Sequence, residues 1–297
     1  MNLYFKREND LVFVDKPAGI ETQGRGGGKL GCLEIFEENL SARLYAVFQI
    51  GKEATGALCF AASMEKAEEL GEAIQKQMVN TKYLFLTDRL SSESEVGPQS
   101  CFRKIKRTSS FELWEVETFN LREDQVRLIA AQLGLAVLGD LSKGGSPFPC
   151  LCFHVQEIHF PGRVPWVCPQ PLFFEDMDML KDPKLIEILI AIDRRQRLYN
   201  FLGSPQECLR LIHSECADYR LDLFGEQLWL YWYREEQPLQ ADLERWNLVA
   251  EIFKRSLIIR VMKNRGKNPQ EITEWRIRNP KKDWVATENG IKFHFKD

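Results

Sequence analysis

A proline-rich stretch divides this chain of 297 residues into two parts, and it constrains the fold more than any other feature of the sequence. Residues 161–183 contain five prolines and the acidic run at residues 175–178, without helical or strand periodicity. Such a segment is typical of a linker, because proline lacks a backbone N–H and interrupts helices and sheets. Domains commonly contain about 100 to 200 residues, so each part can bury a core. We therefore expect two domains, at residues 1–170 and 171–297, with the linker opening the second.

Both parts combine strand and helix patterns, which predicts the α+β class with a mixed sheet and a smaller C-terminal α+β domain. Short apolar, β-branched runs predict strands at residues 11–14, 81–88 and 257–262. Apolar residues at helical spacing predict helices at residues 64–77, 124–134, 185–199 and 239–254. Ser63 is the expected N-cap of the first helix. Asn289-Gly290 predicts a hairpin between residues 283–285 and 291–295.

Charge and cysteine usage exclude several classes of protein. Forty Lys and Arg residues against 43 Asp and Glu residues leave a formal charge of -3, so any RNA contact must use local patches. No apolar run approaches the ~20 residues of a membrane span, and the first residues do not resemble a signal peptide. The eight cysteines form no C-x-x-C pair and have no His at zinc spacing. We expect a soluble cytoplasmic protein with buried free thiols and no metal.

The glycine-rich segment at residues 24–29 does not have the spacing of a phosphate-binding loop. A Walker loop requires G-x-x-x-x-G-K followed by Ser or Thr, and Leu30 stands where that hydroxyl residue should be. The segment is therefore interpreted as a surface loop.

Four short motifs follow one another in the first part of the chain. They are LVFVDKPAGI at residues 11–20, FQIGKEATGALCFAAS at residues 48–63, QVRLIAAQLGLAVLGD at residues 125–140 and CLCFHVQEIHFP at residues 150–161. In this order they resemble the N-K-P-A-G, H-R-L-D-K-D-T-S-G, H-Q-I-R and R-L-x-L-H-A motifs of the RluA family of pseudouridine synthases. The resemblance implies a pseudouridine synthase-like mixed sheet with helices in the first domain, and RNA, above all ribosomal RNA, as the partner.

The catalytic position of that family is changed in this chain. In the family, the Asp of R-L-D is the essential carboxylate that attacks or deprotonates the target uridine while its glycosidic bond is broken and remade to carbon. Gly51 stands at that position, and Phe48 and Gln49 replace the neighbouring His and Arg. A glycine has no side chain to act as nucleophile or base. The resemblance therefore implies a protein with no intact catalytic residue and no isomerase activity.

Tyr83 and Arg127 remain at family positions and are interpreted as vestigial site residues. Tyr83 matches the tyrosine that packs on the target base, and Arg127 matches the arginine that pairs with the aspartate. Core packing for Tyr83 and a plain ion pair for Arg127 are the alternatives. An unpaired buried cation is costly, so Arg127 should recruit Asp124, Glu53, an RNA phosphate or a sulfate.

A substitute carboxylate would keep the enzyme active. The candidates near the changed motif are Glu53, Asp15 and Asp124. Glu53, two residues downstream of Gly51, would require a shift of several ångströms, and a misplacement of ~1 Å can already cost ~100-fold in rate. We therefore expect an inactive domain.

The second part of the chain carries a different resemblance. Residues 208–233, CLRLIHSECADYRLDLFGEQLWLYWY, are similar to the segment ahead of the Rossmann domain in SAM-dependent rRNA methyltransferases, and NRGKNP at residues 264–269 and WVATENGIKFHF at residues 284–295 extend the match. The resemblance implies a small α+β module. No G-x-G-x-x-G-like loop and no N-P-P-Y motif follow, so we expect no bound cofactor and no methyl transfer by this sequence. The resemblance also implies association with a methyltransferase, either as a further domain or as a separate partner protein.

Two groups of basic residues are the candidate RNA contacts. They are Arg103, Lys104, Lys106 and Arg107 in the first domain and Arg276, Arg278, Lys281 and Lys282 in the second. Lys and Arg contact RNA phosphates, although such runs are also typical of solvated faces. Trp275 and Trp284 could stack on bases or pack in the core.

Three hypotheses follow. The first is an inactive pseudouridine synthase domain that binds RNA and targets an rRNA methyltransferase. The second is an active isomerase with a substitute carboxylate. The third is a protein-interaction scaffold without an RNA role, which uses the old cleft as its binding surface.

Overall fold

The computed structural model describes residues 5–24, 30–96, 101–119, 122–199, 208–213, 216–234, 236–262, 274–278, 282–288 and 291–296. The chain divides into two compact units, Leu3–Glu187 and Ile188–Asp297. Residues 171–187, which the sequence assigned to the second domain, therefore fold with the first unit.

The first unit is built on a ten-stranded mixed sheet. Its strands are β1 (Phe5–Glu8), β2 (Leu11–Lys16), β3 (Tyr45–Ala46), β4 (Thr55–Ala61), β5 (Asn80–Thr87), β6 (Glu95–Val96), β7 (Phe102–Arg107), β8 (Glu112–Thr118), β9 (Phe153–His159) and β10 (Trp166–Val167). The order is β1-β2-β4-β9-β5-β8-β7-β6, with β3 beside β4 and β10 beside β9. β4 and β9 pair in parallel, whereas the other pairs are antiparallel. This confirms the predicted α+β class with a mixed sheet.

Four helices accompany this sheet: α1 (Cys32–Leu40), α2 (Met64–Gln75), α3 (Glu123–Gln132) and α4 (Leu172–Glu175). Ser63 caps α2 as predicted, because its hydroxyl accepts a hydrogen bond from the Lys66 N–H at 3.2 Å. Leu70 of α2 and Val126 of α3 are buried in the same apolar core as Phe85 and Val155 of the sheet. This packing holds the N-terminus of α3 against the sheet's central strands.

The proline-rich segment is folded rather than extended, which corrects the linker interpretation. It contains β10, α4 and a 3-10 turn at Met177–Lys181. Phe173, Phe174, Met177 and Leu180 are buried. The sequence shows no periodicity here, because the prolines interrupt the regular elements that carry the apolar residues.

The second unit has a five-stranded sheet with the order β11-β12-β13-β14-β15, in which β13 and β14 are parallel. The elements are α5 (Pro183–Tyr199), which spans the division between the units, β11 (Cys208–Ile212), β12 (Tyr219–Phe224), β13 (Gln227–Trp232), α6 (Gln240–Ile252), β14 (Ser256–Val261) and β15 (Glu274–Ile277). A separate pair, β16 (Asp283–Glu288) and β17 (Ile291–Lys296), forms the predicted hairpin. Its Asn-Gly turn and the motif at residues 264–269 lie outside the described residues.

The cysteines are free thiols in this structure. Cys32, Cys59, Cys152 and Cys168 are buried, and the other four are half-buried. Burial raises the pKa of Cys32 to about 11 and that of Cys59 to about 12, so both stay protonated at neutral pH.

Within the described residues no helix is long and apolar enough to cross a membrane, and no group of His, Cys, Asp or Glu side chains could hold a metal ion.

Candidate functional site

The loop that carries Gly51 lies between β3 and β4, and a buried hydroxyl fixes its position. The Thr22 hydroxyl accepts a hydrogen bond from the Ile50 N–H at 3.1 Å and donates one to the Ile50 carbonyl at 2.8 Å. The Ala54 N–H then donates to the Gly51 carbonyl at 3.2 Å, which closes the turn. Gly51 is therefore held between two anchored backbone segments.

Lys16, the last residue of β2, joins this loop to the segment that follows β2. Its ammonium group is fully buried and donates to the carbonyls of Ile20, Lys52 and Ala54 at 2.8, 3.1 and 2.8 Å, and to that of Pro17 at 2.9 Å. Burial lowers the pKa of Lys16 to about 8, against the opposing influence of the nearby Glu123 carboxylate. The sequence resemblance included this lysine without assigning it a role, and the structure shows that it positions the loop.

The side-chain space beside Gly51 is filled by Glu123, the first residue of α3. A Cβ atom built on Gly51 would lie 2.5 Å from the Glu123 Oε1 atom, closer than real Cβ contacts come. Within an aspartate, the carboxylate oxygens lie at about the same distance from their own Cβ atom, from standard bond lengths. Glu123 thus brings a carboxylate oxygen close to the region where the family's aspartate would place one.

Glu123 is almost completely buried, and its electrostatic surroundings are mixed. Burial is the largest influence and raises the pKa of Glu123, while the Arg127 guanidinium and a hydrogen bond from the Gly51 N–H lower it. The Oε2 atom has no hydrogen-bond partner among the described residues. The N-terminal position on α3 also favours a negative charge. The sequence pattern did not indicate this residue, because H-Q-I-R corresponds to residues 124–127 and Glu123 lies immediately before them.

Arg127 lies on the same side of α3 and is surrounded by carboxylates. Its guanidinium contacts Asp140, which is buried, and lies 3.6 Å from Glu123 Oε1 and 3.4 Å from Asp124 Oδ1. Lys143 adds a second cation, with Nζ at 2.6 Å from Asp124 Oδ1. Arg127 therefore recruits Asp124, one of the anions expected from the sequence, together with Glu123 and Asp140, which were not expected.

Tyr83 is a buried residue of β5 and lies in the main core. Its ring is 1% exposed and packs against Phe153, with 5.3 Å between the ring centroids. Burial raises the pKa of the Tyr83 hydroxyl, and the negative charge of Glu123 raises it further. Tyr83 is thus within electrostatic reach of Glu123, but its ring is covered rather than presented for base stacking.

The three carboxylates that the sequence suggested as substitutes for the missing aspartate have different surroundings from those of Glu123. Glu53 is exposed and lies 3.8 Å from the Lys52 ammonium in an ion pair. Asp15 is 1% exposed within β2. Asp124 is exposed at the mouth of the site, where the hydrogen bond from Lys143 is the largest cause that lowers its pKa.

A cleft of about 460 Å³ opens beside Gly51. It is lined by Glu21, Thr22, Gln23, Gly24, Gln49, Ile50, Gly51, Lys52, Arg122, Glu123 and Asp124. Three carboxylates and two cations line it, so the cleft is not strongly basic. The arrangement can receive a polar ligand next to Glu123.

The basic residues of the first unit lie on β7, next to the acidic strand β8. Arg103 lies 2.6 Å from Glu115, while Lys104 and Arg107 lie 2.9 and 3.5 Å from the buried Glu112. The Lys106 ammonium donates to the Glu175 carbonyl at 2.7 Å. These four side chains come together on one strand, but each has a partner within the protein.

The basic residues of the second unit lie at β15 and beyond it. Arg276 and Arg278 are exposed, with Arg276 at 3.5 Å from Glu274, and Lys282 is exposed before β16. Lys281 lies outside the described residues. Trp284 is buried and stacks on Phe295, with the ring centroids 5.0 Å apart, which favours core packing for this residue.

Comparisons with known proteins support the fold of the first unit. A model of the RNA pseudouridylate synthase family matches residues 10–132, a segment that includes Lys16, Gly51, Tyr83 and Arg127. The first unit therefore has a pseudouridine synthase-like fold. No curated protein matches the chain.

Three solved structures are similar to parts of the chain. The human RNA pseudouridylate synthase domain containing 4 shows 19% identity and a TM-score of 0.48 over 59% of this chain and 92% of its own. The human RNA pseudouridylate synthase domain containing 1 shows 19% identity and a TM-score of 0.47 over 57% of this chain and 84% of its own. A further pseudouridylate synthase shows 15% identity and a TM-score of 0.36 over 53% of this chain and 66% of its own.

Proposed function

We propose that this chain is a cytoplasmic RNA-binding protein of the RluA type that has lost isomerase activity and directs an rRNA methyltransferase, as a further domain or a partner, to its substrate. The match of residues 10–132 to the RNA pseudouridylate synthase family supports the RNA-related role. The resemblance of residues 208–233 to the module ahead of rRNA methyltransferase domains supports the association with a methyltransferase. The same resemblance supports rRNA as the RNA that is bound.

One observation carries the loss of isomerase activity. Residue 51 has no side chain, and the space for one is occupied by a buried carboxylate that already interacts with the Gly51 N–H and with Arg127. A carboxylate held in this way is poorly placed to contact a uridine. The covered ring of Tyr83 supports the same conclusion, since a base cannot stack on it without a rearrangement.

The test of activity is the release of tritium from 5-tritiated uridine in rRNA fragments. We expect no release above a control without protein, over a time in which an active pseudouridine synthase converts the same RNA completely. Release by the purified chain would overturn the proposed inactivity.

The test of RNA binding is a salt titration with a fluorescently labelled rRNA fragment. Phosphate contacts release counterions, so the affinity should fall with salt at a slope of about -0.7 per neutralised phosphate on a single strand. Binding that does not change with salt, or no binding at all, would favour the protein-interaction scaffold.

A second candidate function is an isomerase that uses Glu123 in place of the family's aspartate. The distance of 2.5 Å between the Glu123 Oε1 atom and the position that a Cβ atom on Gly51 would take favours it, together with the raised pKa of Glu123. In that case the wild type would release tritium and the Glu123→Gln variant would not. Glu53→Gln is the matched control, because Glu53 is an exposed acid on the same loop.

A further inference from the structure

The sheet of the second unit has two different faces. Along β13, Leu228, Leu230 and Trp232 are buried, on the face that also carries the buried residues of β14 such as Leu257. Strand residues alternate between faces, so Tyr231 points to the opposite side, and Tyr233 follows the last residue of the strand. Both of these tyrosines are half-buried rather than buried.

The strand register places arginines around the two tyrosines. Tyr231 pairs with Arg220 on β12 and with Arg260 on β14, and residues that pair in this way point to the same face. The Arg220 guanidinium lies 5.7 Å from the ring centroid of Tyr233. Arg210 on β11 points to the same face, because it pairs with Asp222, which lies two residues from Arg220 on β12.

The aromatic-arginine face comprises Tyr231, Tyr233, Arg210, Arg220, Arg260 and Arg276. Two carboxylates share it: Asp222, which accepts hydrogen bonds from Arg210 at 2.7 and 3.0 Å, and Glu274, which lies 2.6 Å from Arg260 and 3.5 Å from Arg276. Four arginines against two carboxylates leave this face positive, although the whole chain has a formal charge of -3. The side chains of Arg210 and Arg276 are 49% and 43% exposed.

One end of the same side of the sheet is occupied by the hairpin of β16 and β17. Trp229 packs against Trp284, with the ring centroids 6.0 Å apart, and Phe224 packs against Phe295 at 5.3 Å. The Arg260 guanidinium lies 4.0 Å from the Trp229 ring centroid. Trp229 is therefore a packing residue, whereas Tyr231 lies two residues further along β13 and Tyr233 follows the end of that strand.

We propose that the aromatic-arginine face binds single-stranded RNA, with bases stacked on Tyr231 and Tyr233 and phosphates bound by the surrounding arginines. The choice of RNA as ligand rests on the proposed function. Aromatic rings stack on unpaired bases of any sequence, and arginine both stacks and binds phosphate. A duplex does not offer its base faces, so this surface should favour unpaired RNA.

The test uses the full chain and a labelled oligouridine of twelve nucleotides, with an RNA duplex of the same length for comparison. We expect tighter binding of the single strand, and about a tenfold loss of affinity for each of Tyr231→Ala and Tyr233→Ala, from the stacking of one base on each ring. Tyr231→Phe should bind as the wild type does, because the ring is kept. Tyr45→Ala is the matched control, since Tyr45 is a half-buried tyrosine of the first unit that also lies beside an arginine, at 5.4 Å from Arg43.

A second measurement does not depend on the folding of a variant. Oligouridine that contains 4-thiouridine should cross-link in the wild-type chain to the peptide that carries Tyr231 and Tyr233. Cross-links only in the first unit, or equal affinity of wild type and the Tyr231→Ala/Tyr233→Ala double variant, would overturn this site while RNA binding itself remained. If the chain bound no RNA, both this site and the proposed function would fail.

Discussion

The Glu123 Oε1 atom lies 2.5 Å from the point where a Cβ atom on Gly51 would be. Glu123 belongs to α3 and Gly51 to the loop before β4, so two separate segments share one small volume. A glycine at position 51 and a glutamate at position 123 are therefore sterically linked.

Gly51→Asp should not create isomerase activity, and it should destabilise the fold by about 1–3 kcal/mol, because the new side chain overlaps Glu123 and adds a like charge. Chemical denaturation measures the loss, and tritium release measures activity. Gly71→Asp on α2 is the matched control, since nothing lies within 4 Å of its Cβ position. Addition of Glu123→Ala to Gly51→Asp should recover most of the lost stability. Equal effects at positions 51 and 71 would contradict the steric link.

Glu123→Gln should change how stability depends on pH. The pKa of Glu123 is raised in the folded protein, so between the ordinary glutamate pKa and the raised value the folded state holds a proton that the unfolded state has lost. The wild type should therefore lose stability as pH rises through this range, and the variant should not. Urea unfolding from pH 4 to 8 measures the difference. A wild type and variant that differ by the same amount at every pH would show that Glu123 does not titrate in this way.

Lys16→Met should destabilise the first unit by about 3–5 kcal/mol at pH 7, because buried carbonyls of the site loop lose their donor. The pKa of Lys16 falls from 10.5 to about 8 on folding. Between these values the unfolded state binds more protons, so this group makes the wild type more stable as pH rises, and the variant lacks that gain. Lys52→Met, at an exposed lysine on the same loop, is the control and should cost less than about 1 kcal/mol. A similar loss in both variants would argue against the anchoring role of Lys16.

Arg127→Ala should destabilise the protein by about 3–5 kcal/mol, because the buried Asp140 and Glu123 lose their shared cation. Arg103→Ala removes an arginine from an exposed ion pair with Glu115 and should cost about 0–1 kcal/mol. Thermal or urea unfolding of the two variants gives the comparison. If Arg127→Ala were as mild as Arg103→Ala, the carboxylates around Arg127 would have to be protonated or hydrated.

The elements with clear periodicity were predictable from local residues. The apolar run at residues 11–14 lies in β2, the Ser63 cap begins α2, and the Asn-Gly pair joins two strands that do pair. The helix α1 and the folded proline-rich segment were not predicted, although Phe36 and Phe173 are buried. Phe36, for example, packs against Phe5 of β1, with 5.6 Å between the ring centroids. Local patterns indicate which residues are apolar, but not which sequence-distant surfaces they meet.

The sequence by itself determined that position 51 lacks a carboxylate, that Arg127 needs an anion, and that the first part of the chain carries the ordered motifs of a pseudouridine synthase-like fold. Only the tertiary structure decided which anion fills the space. Glu123 and Gly51 are 72 residues apart in the sequence, and Lys16 is joined to Ala54 across 38 residues. Side-chain atoms so far apart along the chain come within hydrogen-bond distance only when the sheet and α3 pack together, because folding, not local propensity, fixes contacts between distant segments.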